Sequence, residues 1–234
     1  MKILVTRPEP AASLMAETIR EMGHDAIVCP LTCEVQIDFD PLVIDEPDAW
    51  ILTSARAAFA LAELPPRPVY AVGRSTERAA RDAGARDVSA SGSNWHELGE
   101  LILNSGLPPG ARLVHLCGRD INGDLASLLR DSGLYYHRVV VYAMEPVADA
   151  AGLVELALRR GSVEGVALMS PRAATIFCNI ISAKNLHNEA RNLCVLALSD
   201  DIAAAARPLA AHDVRISPRQ DVRALLRQLD ASSG

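Results

Sequence analysis

The sequence contains no Gly-x-Gly-x-x-Gly turn, no Gly-Lys-Ser/Thr phosphate loop, no Gly-x-Ser-x-Gly elbow and no Cys-x-x-Cys pair. Those absences argue against a nucleotide cofactor, a Ser/His/Asp hydrolase and a dithiol or zinc-knuckle site. His, Cys, Asp and Glu nowhere fall at metal-ligand spacing, so no metal site is expected. Basic residues are too few for a non-specific nucleic-acid binder, since 23 Lys and Arg face 29 Asp and Glu, a net charge of −6. No apolar run approaches the roughly 20 residues of a membrane span, and MKILVTRPEP is too short for a signal segment. A soluble, cytoplasmic protein is expected. Aromatics are scarce at 4%, and Ala, Leu and Val carry an apolar content of 50%. The cysteines Cys29, Cys33, Cys117, Cys178 and Cys194 are odd in number and lie in or beside apolar runs, which reads as reduced, buried thiols.

What is present is a repeating order of short apolar runs and Ala-rich amphipathic stretches. The runs are 2–8, 25–31, 49–54, 69–73, 112–118, 137–144, 165–170, 194–199 and 213–217. They are rich in Val, Ile and Leu and lack polar alternation, which predicts parallel strands buried on both faces. Helical spacing follows at Ala11–Met22, Ala55–Leu64, Thr76–Ala83, Leu125–Leu129, Ala174–Ile181 and Ile202–Leu209. The alternation predicts an α/β protein with parallel sheets covered by helices.

The chain also repeats itself. A long piece, 49–91, recurs as 165–217, and each copy ends in an amphipathic tail, Trp95–Ile102 and Val222–Leu229. A shorter strand–helix–strand piece, 3–32, recurs as 113–144. One short and one long piece make five strands, enough for one doubly wound sheet, so two domains of just over a hundred residues follow. The residues alone leave open which short piece joins which long one, and Ala-rich helices after small turns are alike enough that ordinary βα similarity is the alternative to a true repeat.

Ligands of open parallel sheets bind beyond the carboxyl ends of the strands. The loops there read Thr6-Arg7-Pro8, Thr53-Ser54-Ala55-Arg56, Gly73-Arg74-Ser75-Thr76, Gly118-Arg119-Asp120, Ser170-Pro171-Arg172 and Ser199-Asp200-Asp201. Taken singly, each Ser or Thr is an ordinary N-cap and each Arg an ordinary surface residue. Their recurrence at successive strand ends is what points to anion binding, because helix N-termini offer free N–H groups and Arg binds carboxylates bidentately. Several such mouths facing one cleft would hold a ligand with many carboxylates or phosphates. His115 lies inside a strand and reads as a core or strand-end histidine. Trp50 and Trp95 read as packing residues. Tyr142, at the end of a Val-rich strand, is either half-buried packing or a hydroxyl aimed into a cleft.

Taken in order, VTRPEPAA (5–12), ILTSARAA (51–58), YAVGRST (70–76), HLCGRD (115–120), VVVYAMEP (139–146), MSPRAA (169–174) and ALSDDIAAA (197–205) resemble the uroporphyrinogen-III synthases. The motifs are short, but the ordered set covers essentially the whole chain. The resemblance implies two flavodoxin-like α/β domains joined by a two-stranded ladder. One would comprise residues 1–33 plus 148–234 and the other 37–144, with crossings near 31–36 and 141–147. It implies a monomer that takes hydroxymethylbilane, a linear tetrapyrrole with an acetate and a propionate on each pyrrole, without metal or cofactor. Transient contact with the upstream hydroxymethylbilane synthase is a further expectation. By the same resemblance Tyr142 is the acid or hydrogen-bond donor, with Thr76 as alternative or helper. Arg7, Thr53, Ser54, Arg56, Arg74, Arg119, Ser170, Arg172 and Ser199 would contact carboxylates. The acidic pair Asp200 and Asp201 departs from many relatives, and one of the two is expected to cap the helix that follows. Two other classes share this architecture. A non-catalytic anion-binding module would show no turnover, and a nucleotide- or sugar-phosphate enzyme would be stabilised by nucleotides.

Overall fold

A computed structural model describes residues 1–41, 46–92, 94–121 and 123–230. In chain order its strands are β1 (Lys2–Val5), β2 (Asp25–Val28), β3 (Thr32–Gln36), β4 (Ala49–Leu52), β5 (Val69–Val72), β6 (Val88–Ser91), β7 (Arg112–Gly118), β8 (Tyr135–Pro146), β9 (Gly165–Leu168), β10 (Cys194–Ala197) and β11 (Asp213–Ile216). The helices are α1 (Ala11–Glu21), α2 (Gly73–Asp82), α3 (Trp95–Leu103), α4 (Leu125–Asp131), α5 (Ala150–Arg159), α6 (Pro171–Ala183), α7 (His187–Arg191), α8 (Asp200–Ala206) and α9 (Val222–Leu226). The chain divides into two compact units, Met1–Cys33 with Glu145–Gly234, and Glu34–Met144.

The first unit carries a five-stranded sheet, β2-β1-β9-β10-β11, with every pair parallel. Counted within the unit, that is the 2-1-3-4-5 order of flavodoxin-like folds, with its switch point between β1 and β9. Side chains alternate across the strands. Leu4, Val166 and Val195 point to one face, where Val154 of α5, Phe177 of α6 and Ile202 of α8 cover them. Ile3, Val5 and Leu196 point to the other, beneath Met15 and Ile19 of α1 and Leu225 of α9. Each such fully buried side chain contributes about 1.5–3 kcal/mol over its exposed state.

The second unit carries a sheet ordered β3-β8-β7-β4-β5-β6, in which β4 to β8 pair in parallel. Read from β7, its five parallel strands repeat the 2-1-3-4-5 order; here the long piece precedes the short one in the chain. The switch point lies between β7 and β4. Trp50, Leu52, Val114 and Leu116 pack beneath Ala57, Ala60 and Leu61, while Ala49, Ile51 and Leu113 pack beneath Leu98, Ile102 and Leu129.

Some expectations change. Burial on both faces holds for β1, β4, β9 and β10 but not for β2 and β11, which lie at the edges of the first sheet, nor for the run 137–144 in β8, where His137 is exposed and residues 138–140 are only partly buried. The stretch 55–64 winds as 3-10 turns over Ala55–Glu63, not as an α-helix. It ends where Leu64, held extended (φ −114°, ψ 154°), precedes Pro65. The stretch 202–209 splits into α8 and a 3-10 turn over Arg207–Leu209, because Pro208 has no N–H to continue the ladder. Helices α5 and α7 were not anticipated. All five cysteines are free, and Cys33 alone is not fully buried. Burial pushes the Cys29 thiol up to about 11 and the Cys194 thiol up to about 12. No helix among the described residues is long and apolar enough to cross a membrane.

Candidate active site

In the second unit the carboxyl ends of β4 and β7 lie side by side, Leu52 against Leu116. Thr53 follows β4 directly, and its Oγ1 lies 2.9 Å from Nε2 of His115 on β7. The other ring nitrogen, Nδ1, lies 2.6 Å from the Tyr136 hydroxyl on β8. His115 is 1% exposed. Burial, and then the charge of Arg138, lower its pKa from 6.5 to about 4, so the ring is neutral at physiological pH. Burial raises the Tyr136 phenol, which therefore keeps its proton.

Arg138 braces the end of β7. Its Nε donates to Cys117 Sγ at 3.4 Å, and its Nη2 donates to the carbonyls of Gly118 (3.3 Å) and Arg119 (3.1 Å). At that point the pairing of β7 with β8 slips, so that Cys117 faces Val140 but Gly118 faces Tyr142. Such a bulge re-aims the side chains around it. The Tyr142 ring joins the apolar cluster of the sheet and lies flush on Gly118, where an added Cβ would sit 2.7 Å from Cζ. Its hydroxyl makes no hydrogen bond among the described residues, while its carbonyl accepts from Arg119 N at 3.0 Å.

Beside these strand ends lies an open cavity of about 600 Å³, lined by Thr53, Ser54, Arg56, Gly73, Ser75 and Thr76 among others. Gly73 begins α2 at φ +72°, and a Cβ there would meet the Gly92 carbonyl at 3.3 Å, so the wall is built for glycine. Thr76 is 3% exposed. Ser54 caps the 3-10 turns by accepting from Arg56 N at 3.3 Å. Arg56 is ion-paired, Nε to Glu34 Oε2 at 3.0 Å. Arg74 is exposed and is not in the lining, and Arg119 is exposed at the end of β7.

The first unit repeats the switch-point bond in another form. Thr6, after β1, donates from Oγ1 to the Ala167 carbonyl of β9 at 2.7 Å. Arg7 follows it, half-buried. Ser170 caps α6 by accepting from Ala173 N at 3.1 Å, with Pro171 at the first helical position and Arg172 exposed beside it. Ser199 occupies the N-cap of α8 but makes no cap bond. Asp200 and Asp201 are first-turn residues and do not cap the helix, which corrects the expectation that one of them would; their charge suits the helix N-terminus.

The structure thus gathers Thr53, Ser54, Arg56 and Thr76 around one cavity in the second unit and sets Tyr142 over Gly118 in the same unit. Arg7, Ser170, Arg172 and Ser199 lie at strand ends of the first. Sequence reasoning missed the partnership of His115 with Tyr136 and that of Glu34 with Arg56. Both join residues far apart in the chain, and no local pattern carries them. Among the described residues no group of three His, Cys, Asp or Glu could hold a metal ion.

The family model of uroporphyrinogen-III synthase HemD matches residues 13–227. No curated protein sequence matches the chain. Among solved structures, a mutant uroporphyrinogen III synthase of the extremely thermophilic bacterium Thermus thermophilus aligns at a TM-score of 0.60 and 16% identity, covering 99% of this chain and 98% of that one. The uroporphyrinogen-III synthetase of Helicobacter pylori 26695 aligns at 0.61 and 15% identity, covering 98% of each. At such identities the structures speak for a shared fold, two parallel α/β sheets. The family model spans nearly the whole chain, from α1 to the end of α9, and on that match the chain belongs to the uroporphyrinogen-III synthase family.

Proposed function

We propose that this chain closes hydroxymethylbilane into uroporphyrinogen III, as a cyclising hydro-lyase of haem biosynthesis. The observation that carries the reading is the family match over residues 13–227. In this reaction the ring A hydroxyl leaves as water, and the resulting azafulvene is attacked by the substituted carbon of ring D. A spiro intermediate forms, breaks and recloses with ring D inverted. Unaided closure occurs at the unsubstituted carbon and gives the type I isomer. The protein's task is therefore mainly to hold the bilane in the productive shape and to assist loss of water.

Tyr142 is our choice of donor to the leaving hydroxyl. Its support is a phenol that packs firmly through its ring yet has no internal hydrogen-bond partner among the described residues. Thr76 is the alternative or helper. Arg7, Thr53, Ser54, Arg56, Arg74, Arg119, Ser170, Arg172 and Ser199 are proposed as carboxylate contacts, supported by their positions at strand ends and helix starts. We take the two compact units as domains linked through β3 and β8, and the working form as a cytoplasmic monomer that receives its substrate from hydroxymethylbilane synthase.

The test is a coupled assay in which hydroxymethylbilane is generated in place, the protein is added, and the product isomers are separated after oxidation. Mostly type III product is expected. Product matching the type I background would overturn the reading in favour of a non-catalytic anion-binding module.

A further inference from the structure

The mouth of the second unit contains a hydrogen-bond chain that runs from inside the sheet to its rim: Tyr136 hydroxyl, His115 Nδ1, His115 Nε2, Thr53 Oγ1. Its polarity follows from counting protons. A neutral imidazole has one N–H and one bare nitrogen. The Tyr136 hydroxyl carries a hydrogen, and among the described residues its one hydrogen-bond partner is His115. Donating that hydrogen to Nδ1 satisfies the phenol and leaves the ring's own hydrogen on Nε2. Nε2–H then donates to Thr53 Oγ1, and the Thr53 hydrogen has to point elsewhere. Elsewhere is the cavity that Thr53 lines with Ser54, Arg56, Ser75 and Thr76, and no group among the described residues takes that hydrogen. In the opposite polarity Thr53 would donate its hydrogen to a bare Nε2 and offer a ligand only lone pairs, the wrong sign for an anion.

We infer that Tyr136 and His115 are positioning residues that fix the Thr53 hydroxyl as a hydrogen-bond donor to a substrate carboxylate in this mouth. The inference rests on the proposed synthase reading and deepens it by assigning a sign to one contact and a support behind it. The family match does not contain it, because the match says nothing of the polarity of this chain. The matching bond in the first unit shows the contrast. There Thr6 spends its hydrogen on the Ala167 carbonyl, so Thr6 has none to offer a ligand.

Two measurements test it. Nitrogen-15 spectra of the histidine ring in the wild-type protein should show His115 protonated on Nε2 and bare on Nδ1. The Nδ1–H form would overturn the inference. In the coupled assay, Thr53→Val and His115→Leu should each raise KM about tenfold with kcat nearly constant, the loss of one hydrogen bond to a charged group. The double variant should be no worse than either single one, because both remove the same donor. His115→Gln, whose amide keeps a donor near Nε2, should restore KM to within about twofold. Additive effects, or wild-type KM in a folded His115→Leu, would sink the idea. If His115→Leu does not fold, Thr53→Val, His115→Gln and the ring spectrum still decide. A wild-type protein making only type I product would instead remove the function on which the inference rests, while the ring spectrum would stand.

Discussion

The Thr53 hydroxyl and the His115 ring meet at 2.9 Å across the ends of β4 and β7, the pair of strands at which the strand order of the second sheet reverses. A neutral, buried histidine at that place ties the rim of the site to the stability of the sheet. The folded state keeps His115 neutral down to about pH 4, whereas the unfolded chain takes up its proton below about 6.5. Between those values the unfolded state binds more protons, so this stability is complete above 6.5 and is lost as pH falls toward 4. Tyr136, Thr53 and Arg138 face the ring and do not change charge in that window. Wild type should lose up to roughly 3 kcal/mol more than His115→Gln over that range, read from urea unfolding at several pH values. Parallel curves for the two proteins would contradict the assignment.

Gly118 sets the position of Tyr142. A methyl group at Gly118 would lie 2.7 Å from Tyr142 Cζ and 2.9 Å from its hydroxyl, so Gly118→Ala has to push the ring aside. Displacement of about an ångström at a catalytic group costs on the order of a hundredfold in rate. Gly118→Ala should lower kcat by roughly 10- to 100-fold while the protein stays folded by circular dichroism. Tyr142→Phe should lower kcat by a similar factor without abolishing type III product, because folding the bilane does most of the work. A fully active Tyr142→Phe would remove the phenol from the chemistry.

Arg56, proposed as a carboxylate contact, is already paired with Glu34, both partly exposed. Such pairs contribute about 0.2–1 kcal/mol. Glu34→Gln removes the competitor of an incoming carboxylate, so KM should fall by about two- to fivefold at low salt and less at high salt. An unchanged KM would place Arg56 outside the binding set.

Ser170 and Ser199 look alike in sequence, yet only Ser170 makes a cap bond. Ser170→Ala should cost about 1 kcal/mol in unfolding free energy. Ser199→Ala should leave stability within about 0.5 kcal/mol. Equal losses of stability would show that Ser199 caps α8 in solution.

Much of the architecture was legible because it depends on local chemistry. Val-, Ile- and Leu-rich runs without polar alternation mark buried parallel strands, and β4, β9 and β10 are buried at every residue. The short and long repeats report that each sheet is one strand–helix–strand piece added to a longer one. What local pattern does not carry is the tightness of a helix, as at Ala55–Glu63, or the thin cover of the edge strands β2 and β11, because both depend on what packs against the segment.

The site divides along the same line. By itself the sequence determined that Thr, Ser and Arg recur where strands give way to helices, because helix starts need caps and leave N–H groups open to anions. Only the tertiary structure decided which of them have partners. Strand order sets β7 beside β4, which brings Thr53 to His115. A one-residue slip between Cys117 and Gly118 turns Tyr142 onto Gly118, and the pairing of β3 in the second sheet accompanies the reach of Glu34 to Arg56. These are contacts between residues up to dozens of positions apart. Their geometry depends on how strands are ordered and registered in a sheet, which no short window of residues encodes.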